Sequence, residues 1–248
     1  MSATLKRYVI IPAGGNGSRM QANLPKQFLL LNEIPVIVHT LQLFLADDGI
    51  EKIIVPIAAE WKHYFNELKQ KYGLPDNIET VEGGETRFHS IKNALSVLPD
   101  EGIVSIHDAA RPLATSGLIE KCFAETELNG SAIATVALKD SVYELTKAMQ
   151  SMPGEIVGQA TNNGSVPSQE YKSVNRNNFR LAQTPQCFKL SDIKKAFQKE
   201  YQKSFTDDAS VYEATGFKLN LIEGELTNIK ITTPEDLLFA ETILKNRK

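Results

Sequence analysis

The stretch that decides the fold is Tyr8-Val9-Ile10-Ile11-Pro12-Ala13-Gly14-Gly15-Asn16-Gly17-Ser18-Arg19-Met20, which continues through Leu24-Pro25-Lys26-Gln27. Its first four residues form an unbroken apolar run, as a strand buried on both faces would. Glycines at 14, 15 and 17 let the backbone approach an anion closely and turn several N–H groups toward it. Arg19 and Lys26 add two cations, and no Asp or Glu lies between them. The stretch therefore predicts a polyphosphate site at the end of a first strand.

Two known glycine-loop motifs fit this stretch poorly. The Walker motif ends in Gly-Lys-Ser/Thr, whereas Ser18-Arg19 follows the glycine here. The dinucleotide fingerprint requires a small residue where Met20 stands and an acid after the second strand, which instead closes on Pro56-Ile57-Ala58. A plain glycine turn with surface cations is the structural alternative. Pro25-Lys26 after the glycines favours a functional loop.

Composition restricts the class of protein. The 248 residues suffice for one large α/β domain, and a net charge of −3 argues against the diffuse basic surface of a nucleic-acid-binding protein. The sequence shows neither a signal peptide nor a long apolar segment, so no membrane partner is expected. Cys122 and Cys187 lack metal-ligand spacing and fit a reducing compartment. We expect a cytoplasmic protein.

Alternating strand and helix patterns predict an α/β fold with a Rossmann-like, mostly parallel sheet and helices on both faces. The predicted strands are 8–11, 52–57, 78–82, 102–107, 131–138 and 217–223, and the predicted helices are 35–46, 60–72, 86–98, 116–128, 191–203, 207–214 and 234–246. Between about 139 and 178 this alternation stops. Strand-like segments at 141–145 and 171–174 flank strong turn signals there, and 161–170 is typical of a surface loop. We predict a single domain over 1–248 with a projecting β-arm at 139–178 that lies against a second subunit.

Ligands of parallel sheets bind at the carboxyl ends of the strands, and unusual residues follow several predicted strands. They are Gly83-Gly84-Glu85-Thr86-Arg87 with Ser90, His107-Asp108-Ala109-Ala110-Arg111-Pro112, Lys139-Asp140-Ser141 and Thr227-Asn228-Ile229-Lys230. Backbone groups near Gly83 are expected to contact a base or ribose. For Asp108, two interpretations stay open: a helix cap or ion pair with Arg111, and a role in ribose or metal binding. Thr206-Asp207-Asp208 is most simply the start of a helix.

Taken together, these motifs resemble the 2-C-methyl-D-erythritol 4-phosphate cytidylyltransferase family. The matching pieces are 12–20, 25–27, 83–87, 107–112, Gln183-Thr184-Pro185-Gln186, Thr206-Asp207-Asp208-Ala209-Ser210 and Asn228-Ile229-Lys230-Ile231-Thr232. They run in order over nearly the whole chain. The family's arm tends to be shorter, so 161–170 looks inserted, and Asn175 stands where the family more often has Asp.

The resemblance implies a fold of the nucleotide-diphospho-sugar transferase type and a CTP-dependent nucleotidyltransferase. In the implied reaction, the phosphate of methylerythritol phosphate attacks the α-phosphorus of CTP. Pyrophosphate leaves, and the product belongs to isoprenoid precursor synthesis. Mg²⁺ or another divalent cation would lie across the triphosphate, with Asp108 as a candidate ligand. The family also implies a homodimer whose arm places Ser141 and Arg176 in the neighbour's site.

The same resemblance assigns residue roles. The implied catalytic residues are Arg19, Lys26, Arg176 and Lys230. The implied nucleotide-binding residues are Pro12, Ala13, Gly14, Gly15, Asn16, Gly17, Gly83, Arg87, Ser90, Asp108 and Ala109. The implied residues for the sugar-alcohol phosphate are Arg111, Ser141, Arg176, Thr206 and Lys230.

Two alternative functions stay open. A cytidylyltransferase for ribitol 5-phosphate would share the glycine loop, 183–186 and 228–230, although Ala109-Ala110 and 206–210 favour methylerythritol phosphate. A non-catalytic nucleotide-binding relative would keep the fold without the reaction. The intact set of implied catalytic cations argues against that second alternative.

Overall fold

The computed structural model describes residues 5–14, 24–145 and 171–247. Within these ranges the strands are β1 Arg7–Ile10, β2 Leu30–Leu31, β3 Ile34–Pro35, β4 Ile50–Ile57, β5 Ile78–Glu82, β6 Ile103–Ile106, β7 Ser131–Ala137, β8 Val142–Leu145, β9 Tyr171–Val174, β10 Arg180–Lys189 and β11 Leu221–Glu223. The helices are α1 Val36–Leu45, α2 Ala59–Lys71, α3 Arg87–Ser96, α4 Ser116–Asn129, α5 Leu190–Ala196, α6 Asp208–Ala214 and α7 Pro234–Asn246. No helix in these ranges combines the length and apolar character needed to cross a bilayer.

The chain divides into two compact units. The main unit comprises Met1–Thr135 and Ala182–Lys248, and the second unit is Val136–Leu181. In the second unit, β8 and β9 pair antiparallel, with Leu145 opposite Tyr171. The rings of Tyr143 and Tyr171 meet edge to face with centroids 5.7 Å apart. The predicted loop 161–170 lies outside the described residues.

A seven-stranded sheet of order β11-β7-β10-β6-β1-β4-β5 forms the centre of the main unit. β1 is parallel to both β4 and β6, β4 is parallel to β5, and β11 is parallel to β7. β10 runs antiparallel to β6. The mostly parallel sheet confirms the predicted fold class. Because β1 lies between β4 and β6, its carboxyl end is the switch point at which such sheets bind ligands.

The apolar run of β1 is explained by burial on both faces of the sheet. Successive strand residues point to opposite faces. Val9 belongs to a core cluster that includes residues of α1, α2 and α4, whereas Ile10 belongs to a second cluster with residues of α3, α5 and α6. Helices therefore cover both faces, as predicted.

Several elements differ from the sequence prediction. The two-residue strands β2 and β3 were not predicted, and β11 covers only the end of the predicted strand 217–223. The predicted strands do not include β10, because Pro185 and two glutamines are untypical of a central strand. The helix predicted over 191–203 ends at Ala196. Beyond Ala196, the residues Phe197, Tyr201 and Phe205 recur at a spacing of four residues, which is typical of a helix. In the structure, all three instead contact the ring of Phe88 in α3. Phe88 lies 4.8 Å from Phe197 and 5.8 Å from both Tyr201 and Phe205, measured between ring centroids.

Candidate active site

A cavity of about 430 Å³ opens at the carboxyl end of β1. Its wall combines the turn after β1, the short 3₁₀ helix Lys26–Phe28, the loop between β5 and α3, the loop after β6, and Lys230. The predicted residues that line it are Pro12, Gly14, Lys26, Arg87, Ser90, Asp108, Ala109 and Lys230. The volume lies within the range of small-molecule sites. The fold thus brings together predicted residues that are more than two hundred positions apart.

Other predicted residues lie elsewhere. Gly15, Asn16, Gly17 and Arg19 are outside the described residues. In the main unit, Ala13 is buried, and Gly83 directly precedes Gly84, which lines the cavity. Thr206 is exposed in the loop before α6 and is not part of the cavity lining. Ser141 and Arg176 belong to the second unit, where Arg176 donates a hydrogen bond to the carbonyl of Lys139.

The β5–α3 loop gives the cavity a rigid backbone edge. Ser90 Oγ accepts a hydrogen bond from Gly84 N at 3.0 Å and donates one to Thr86 O at 3.0 Å. Thr86 is the N-cap of α3. A Cβ at position 84 would lie 2.3 Å from His89 Cβ and 2.8 Å from His89 C, so only glycine allows this close packing. The loop therefore presents fixed backbone groups, which suit recognition of a flat polar base.

Lys26 is held in the wall by its neighbours. Gln27 Nε2 donates a hydrogen bond to Ala13 O at 2.6 Å, which ties the 3₁₀ helix to the end of β1. Phe28 is buried against the rings of Trp61 and Tyr64, at centroid distances of 5.5 and 5.1 Å. These anchors fix the backbone of Lys26 beside the cavity. Trp61 thus has a structural role in packing against Phe28.

Asp108 is the centre of a cluster of cations. Its carboxylate oxygens lie 2.8 Å from Arg87 Nη1, 2.8 Å from Lys230 Nζ and 3.4 Å from Arg111 Nε. Burial alone would raise the pKa of Asp108, but the charges of Arg87, Lys230 and Arg111 outweigh burial and hold that pKa well below its usual range. Asp108 is therefore ionised at neutral pH. Of the interpretations that the sequence left open, the structure shows ion pairing with Arg111.

A second carboxylate extends this cluster. Arg87 Nη2 lies 2.5 Å from an oxygen of Asp208, which is almost fully buried at the start of α6. Burial would lower the pKa of Arg87, but Asp208 and Asp108 more than offset this and hold it above its usual value. The prediction that a helix begins at 206–208 is confirmed, since Asp207 caps α6 in a capping box with Ser210. Asp208 instead points inward, and sequence reasoning missed it because the cap explained both acids.

Backbone contacts join this cluster to more distant segments. Asp108 N donates a hydrogen bond to Thr184 Oγ1 at 3.0 Å, and Arg111 Nη1 donates to Asn228 O at 2.8 Å. His107 Nε2 contacts Arg111 O at 2.9 Å. Burial lowers the pKa of His107 to about 4, so its ring is neutral at pH 7 and donates to that carbonyl. His107 therefore has a structural role.

The contacts of Asp108 argue against a metal-binding role. Both of its oxygens already have cationic partners, and a divalent cation would be repelled by the surrounding positive charges. In the described ranges, no group of three or more His, Cys, Asp or Glu side chains is placed to hold an ion. The prediction of Asp108 as a metal ligand therefore does not fit the structure.

The cavity is suited to anions rather than to proton abstraction by histidine or a thiol. Lys26, Arg87 and Lys230 line it, while its described lining contains neither histidine nor cysteine. Comparison with known proteins agrees with this chemistry. The profile of the family described as IspD, 2-C-methyl-D-erythritol 4-phosphate cytidylyltransferase, matches residues 8–246.

The chain belongs to the 2-C-methyl-D-erythritol 4-phosphate cytidylyltransferase family. A protein of that name from Phocaeicola vulgatus is 37% identical over 240 residues, which cover 97% of this chain and 100% of the relative. One from Bacillus cytotoxicus is 38% identical over 238 residues, which cover 95% of this chain and 96% of the relative. The crystal structure of the Francisella tularensis protein of that name is similar, with a TM-score of 0.74 and 32% sequence identity. The match covers 96% of this chain and 99% of that protein.

In this member of the cytidylyltransferase family, the structure gives a role to one motif for which the sequence alone indicated none. Gln183-Thr184-Pro185-Gln186 lies on β10, next to the loop after β6. Its side chains contact the Asp108 loop, the loop before Lys230 and the start of α6. The motif is a buried junction beside the cavity, which explains why polar residues occupy a central strand.

Proposed function

We propose that this chain transfers the cytidylyl group of CTP to 2-C-methyl-D-erythritol 4-phosphate. The products are 4-diphosphocytidyl-2-C-methyl-D-erythritol and pyrophosphate, in isoprenoid precursor synthesis. The observation that carries the proposal is the convergence of Lys26, Arg87 and Lys230 on one cavity at the switch point of the sheet. The chain's membership in the family supports the identity of both substrates.

In the reaction, an oxygen of the sugar-alcohol phosphate attacks the α-phosphorus of CTP, and the bond from that phosphorus to the bridging β-oxygen breaks. A phosphate monoester, with a second pKa of about 6, is largely ionised at neutral pH, so the attack needs no general base. The obstacle is repulsion, because two unit charges 4 Å apart cost roughly 4 kcal/mol at a dielectric of about 20. Fixed cations offset this repulsion, and they accelerate the reaction to the extent that their contacts strengthen in the transition state.

We assign roles to Lys26 and Lys230 from the cavity lining, and to Arg19 and Arg176 from the family resemblance. Lys26, with Arg19 of the glycine loop, would stabilise negative charge that builds on the α-phosphoryl group. Lys230 and Arg176 would hold and aim the attacking phosphate. An ammonium group has three donors, so Lys230 can keep its contact with Asp108 and still bind a phosphate oxygen. Gly14 and the Gly83–Ser90 segment would frame the cytosine and ribose.

A magnesium ion fits this proposal as a partner of the nucleotide. Mg²⁺ prefers oxygen ligands and is commonly bound through substrate phosphates and water. Since Asp108 is already paired with cations, the phosphates of CTP are the better source of ligands. The ion would supply additional neutralisation of the triphosphate charge. A cytoplasmic location is part of the same proposal, because both substrates are soluble phosphates.

We also propose a homodimer formed through the arm. In the second unit, the paired strands β8 and β9 expose Tyr143, Leu145 and Tyr171, an apolar surface of the kind that partners cover. The Arg176→Ala and Lys230→Ala variants, mixed and refolded together, test whether Arg176 serves the neighbouring site. A shared site predicts about a quarter of wild-type activity, since half of the dimers would carry one intact site. No recovery above either variant alone would place Arg176 in its own subunit's site.

The function is tested by pyrophosphate release from CTP with each of two acceptors, methylerythritol phosphate and ribitol 5-phosphate. We expect turnover with methylerythritol phosphate and a value of kcat/KM for ribitol 5-phosphate that is lower by about 100-fold or more. Preference for ribitol 5-phosphate would establish the alternative substrate. CTP binding without turnover of either acceptor would indicate a non-catalytic relative.

Replacing Lys230 by alanine is expected to raise KM for methylerythritol phosphate about 10- to 100-fold, because one charged hydrogen bond to the attacking phosphate is lost. The Kd for CTP, measured by calorimetry, should change less than about twofold. Lys195→Ala is a matched control, since Lys195 is exposed on α5 and pairs only loosely, at 4.0 Å, with Asp192. Loss of CTP binding in Lys230→Ala would contradict the assignment of Lys230 to the acceptor.

A further inference from the structure

Lys230 reaches the cavity from a segment without regular secondary structure. The segment runs from Gly224 to Thr233, between β11 and α7. A long side chain on such a segment is aimed only as well as its backbone is fixed. The contacts that fix this backbone therefore bear directly on the reaction.

Gln183 of β10 provides several of those contacts. Its side-chain Nε2 donates to Glu225 O at 2.8 Å and to Asn228 O at 3.4 Å, while its Oε1 accepts from Glu225 N at 3.2 Å. The residue is only 6% exposed. One amide thus satisfies a backbone N–H and two backbone carbonyls. In a regular sheet, a neighbouring strand would form these hydrogen bonds.

Gly224 shows that the segment is built around this amide. A Cβ at position 224 would lie 2.5 Å from Gln183 Oε1 and 3.2 Å from both the N and the O of Thr135. Gly224 N also donates to Thr135 O at 2.8 Å. The absence of a side chain at 224 lets the segment pass between Gln183 and β7.

The fixed backbone leads directly to Lys230. Asn228 O also accepts the hydrogen bond from Arg111, and Asn228 Nδ2 donates to Thr184 O at 2.8 Å. Beyond Lys230, Ile231 N donates to Ala110 O at 2.8 Å. Lys230 is therefore held between β10 on one side and the loop after β6 on the other.

We propose that Gln183 is a positioning residue for Lys230, acting through the backbone of 224–228. Its amide sets where the ammonium group meets the attacking phosphate, and it touches neither substrate. This inference rests on the proposed function, because it takes Lys230 as the cation for the acceptor phosphate. It also explains why an uncharged side chain with both donor and acceptor stands at this position.

The test compares Gln183→Met, which keeps the length of the side chain and removes its hydrogen bonds, with wild type. We expect KM for methylerythritol phosphate to rise about tenfold and the Kd for CTP to change less than about twofold. Without any substrate, hydrogen exchange at the Glu225 amide should become at least about tenfold faster, because its acceptor is gone. Gly224→Ala should reproduce the rise in KM, since it displaces the same amide.

Two further variants separate positioning from general damage. Gln186→Met removes an amide of the same strand that binds Asp207 Oδ2 at 2.8 Å, Ala209 N at 2.9 Å and the carbonyl of Gln183 at 3.4 Å. It leaves the side chain of Gln183 unchanged, so exchange at Glu225 should stay at the wild-type rate. Gln183→Glu presents a carboxylate to two carbonyls, and its activity relative to wild type should recover as falling pH restores a donor. Two results in Gln183→Met would overturn the proposal. One is an unchanged exchange rate at the Glu225 amide, and the other is a rise in the Kd for CTP equal to the rise in KM for methylerythritol phosphate. Exchange is measured without turnover, so failure of the proposed function alone would leave that readout intact.

Discussion

Replacing Lys26 by alanine is expected to lower kcat about 100- to 1,000-fold, the cost of removing one group that stabilises transition-state charge. The Kd for CTP should weaken much less, by about fivefold at most, because the contact strengthens only as charge builds on the α-phosphoryl group. The structure supports this role through the buried anchors Gln27 and Phe28, which fix Lys26 beside the cavity. Single-turnover measurements with labelled CTP separate the chemical step from binding.

Lys195→Ala again serves as the control for loss of a lysine from the same unit. A fall in kcat/KM explained entirely by weaker CTP binding would show that Lys26 contributes equally to ground and transition states. Lys26 would then be a binding residue, and the proposed source of catalysis would have to be sought in Arg19 and the metal ion.

Replacing Asp108 by asparagine is expected to lower the free energy of unfolding by about 3 kcal/mol at pH 7. The value is at the lower end for loss of one partner of a buried ion pair. The change leaves the three cations Arg87, Arg111 and Lys230 around a neutral amide, although Arg87 keeps Asp208. Urea unfolding of wild type and variant measures the difference. Asp100→Asn, at an exposed carboxylate paired with Lys194, is the control and should leave the urea midpoint close to that of wild type.

The same variant predicts a pH dependence with a definite sign. The pKa of Asp108 lies below its usual range in the folded protein, so the unfolded chain takes up the proton first as pH falls. The carboxylate's contribution is therefore complete above the unfolded pKa of about 3.9 and is lost progressively below it. The gap in stability between wild type and Asp108→Asn should narrow below about pH 4. A gap of the same size at pH 3 and pH 7 would contradict the charge cluster.

Much of this site could be predicted from local sequence patterns. The apolar run before the glycines, and the polar loops after the predicted strands, placed Gly14, Ser90, Asp108 and Ala109 at one edge of the sheet. This works because parallel strands share an edge, so their carboxyl ends meet whatever their distance along the chain.

Contacts that depend on an antiparallel strand could not be predicted in the same way. Because β10 is antiparallel to β6, its first residues lie at the edge of the sheet where the parallel strands end. Pro185 interrupts the sequence pattern by which a strand would be predicted. Gln183 and Thr184 therefore contact the loops that form the site, although no local pattern predicts this. Asp208 was missed for a different reason, since an acid in the first turn of a helix already has a sufficient explanation in the helix dipole.

The central claim is that cations from distant segments meet in one cavity to let one phosphate attack another. Its most direct test is a crystal structure of the protein with methylerythritol phosphate, Mg²⁺ and the α,β-methylene analogue of CTP, which cannot release pyrophosphate. We expect Lys26 Nζ within about 4 Å of an α-phosphate oxygen and Lys230 Nζ within about 4 Å of the acceptor phosphate. A triphosphate bound outside this cavity, or either lysine turned away from both phosphates, would contradict the claim.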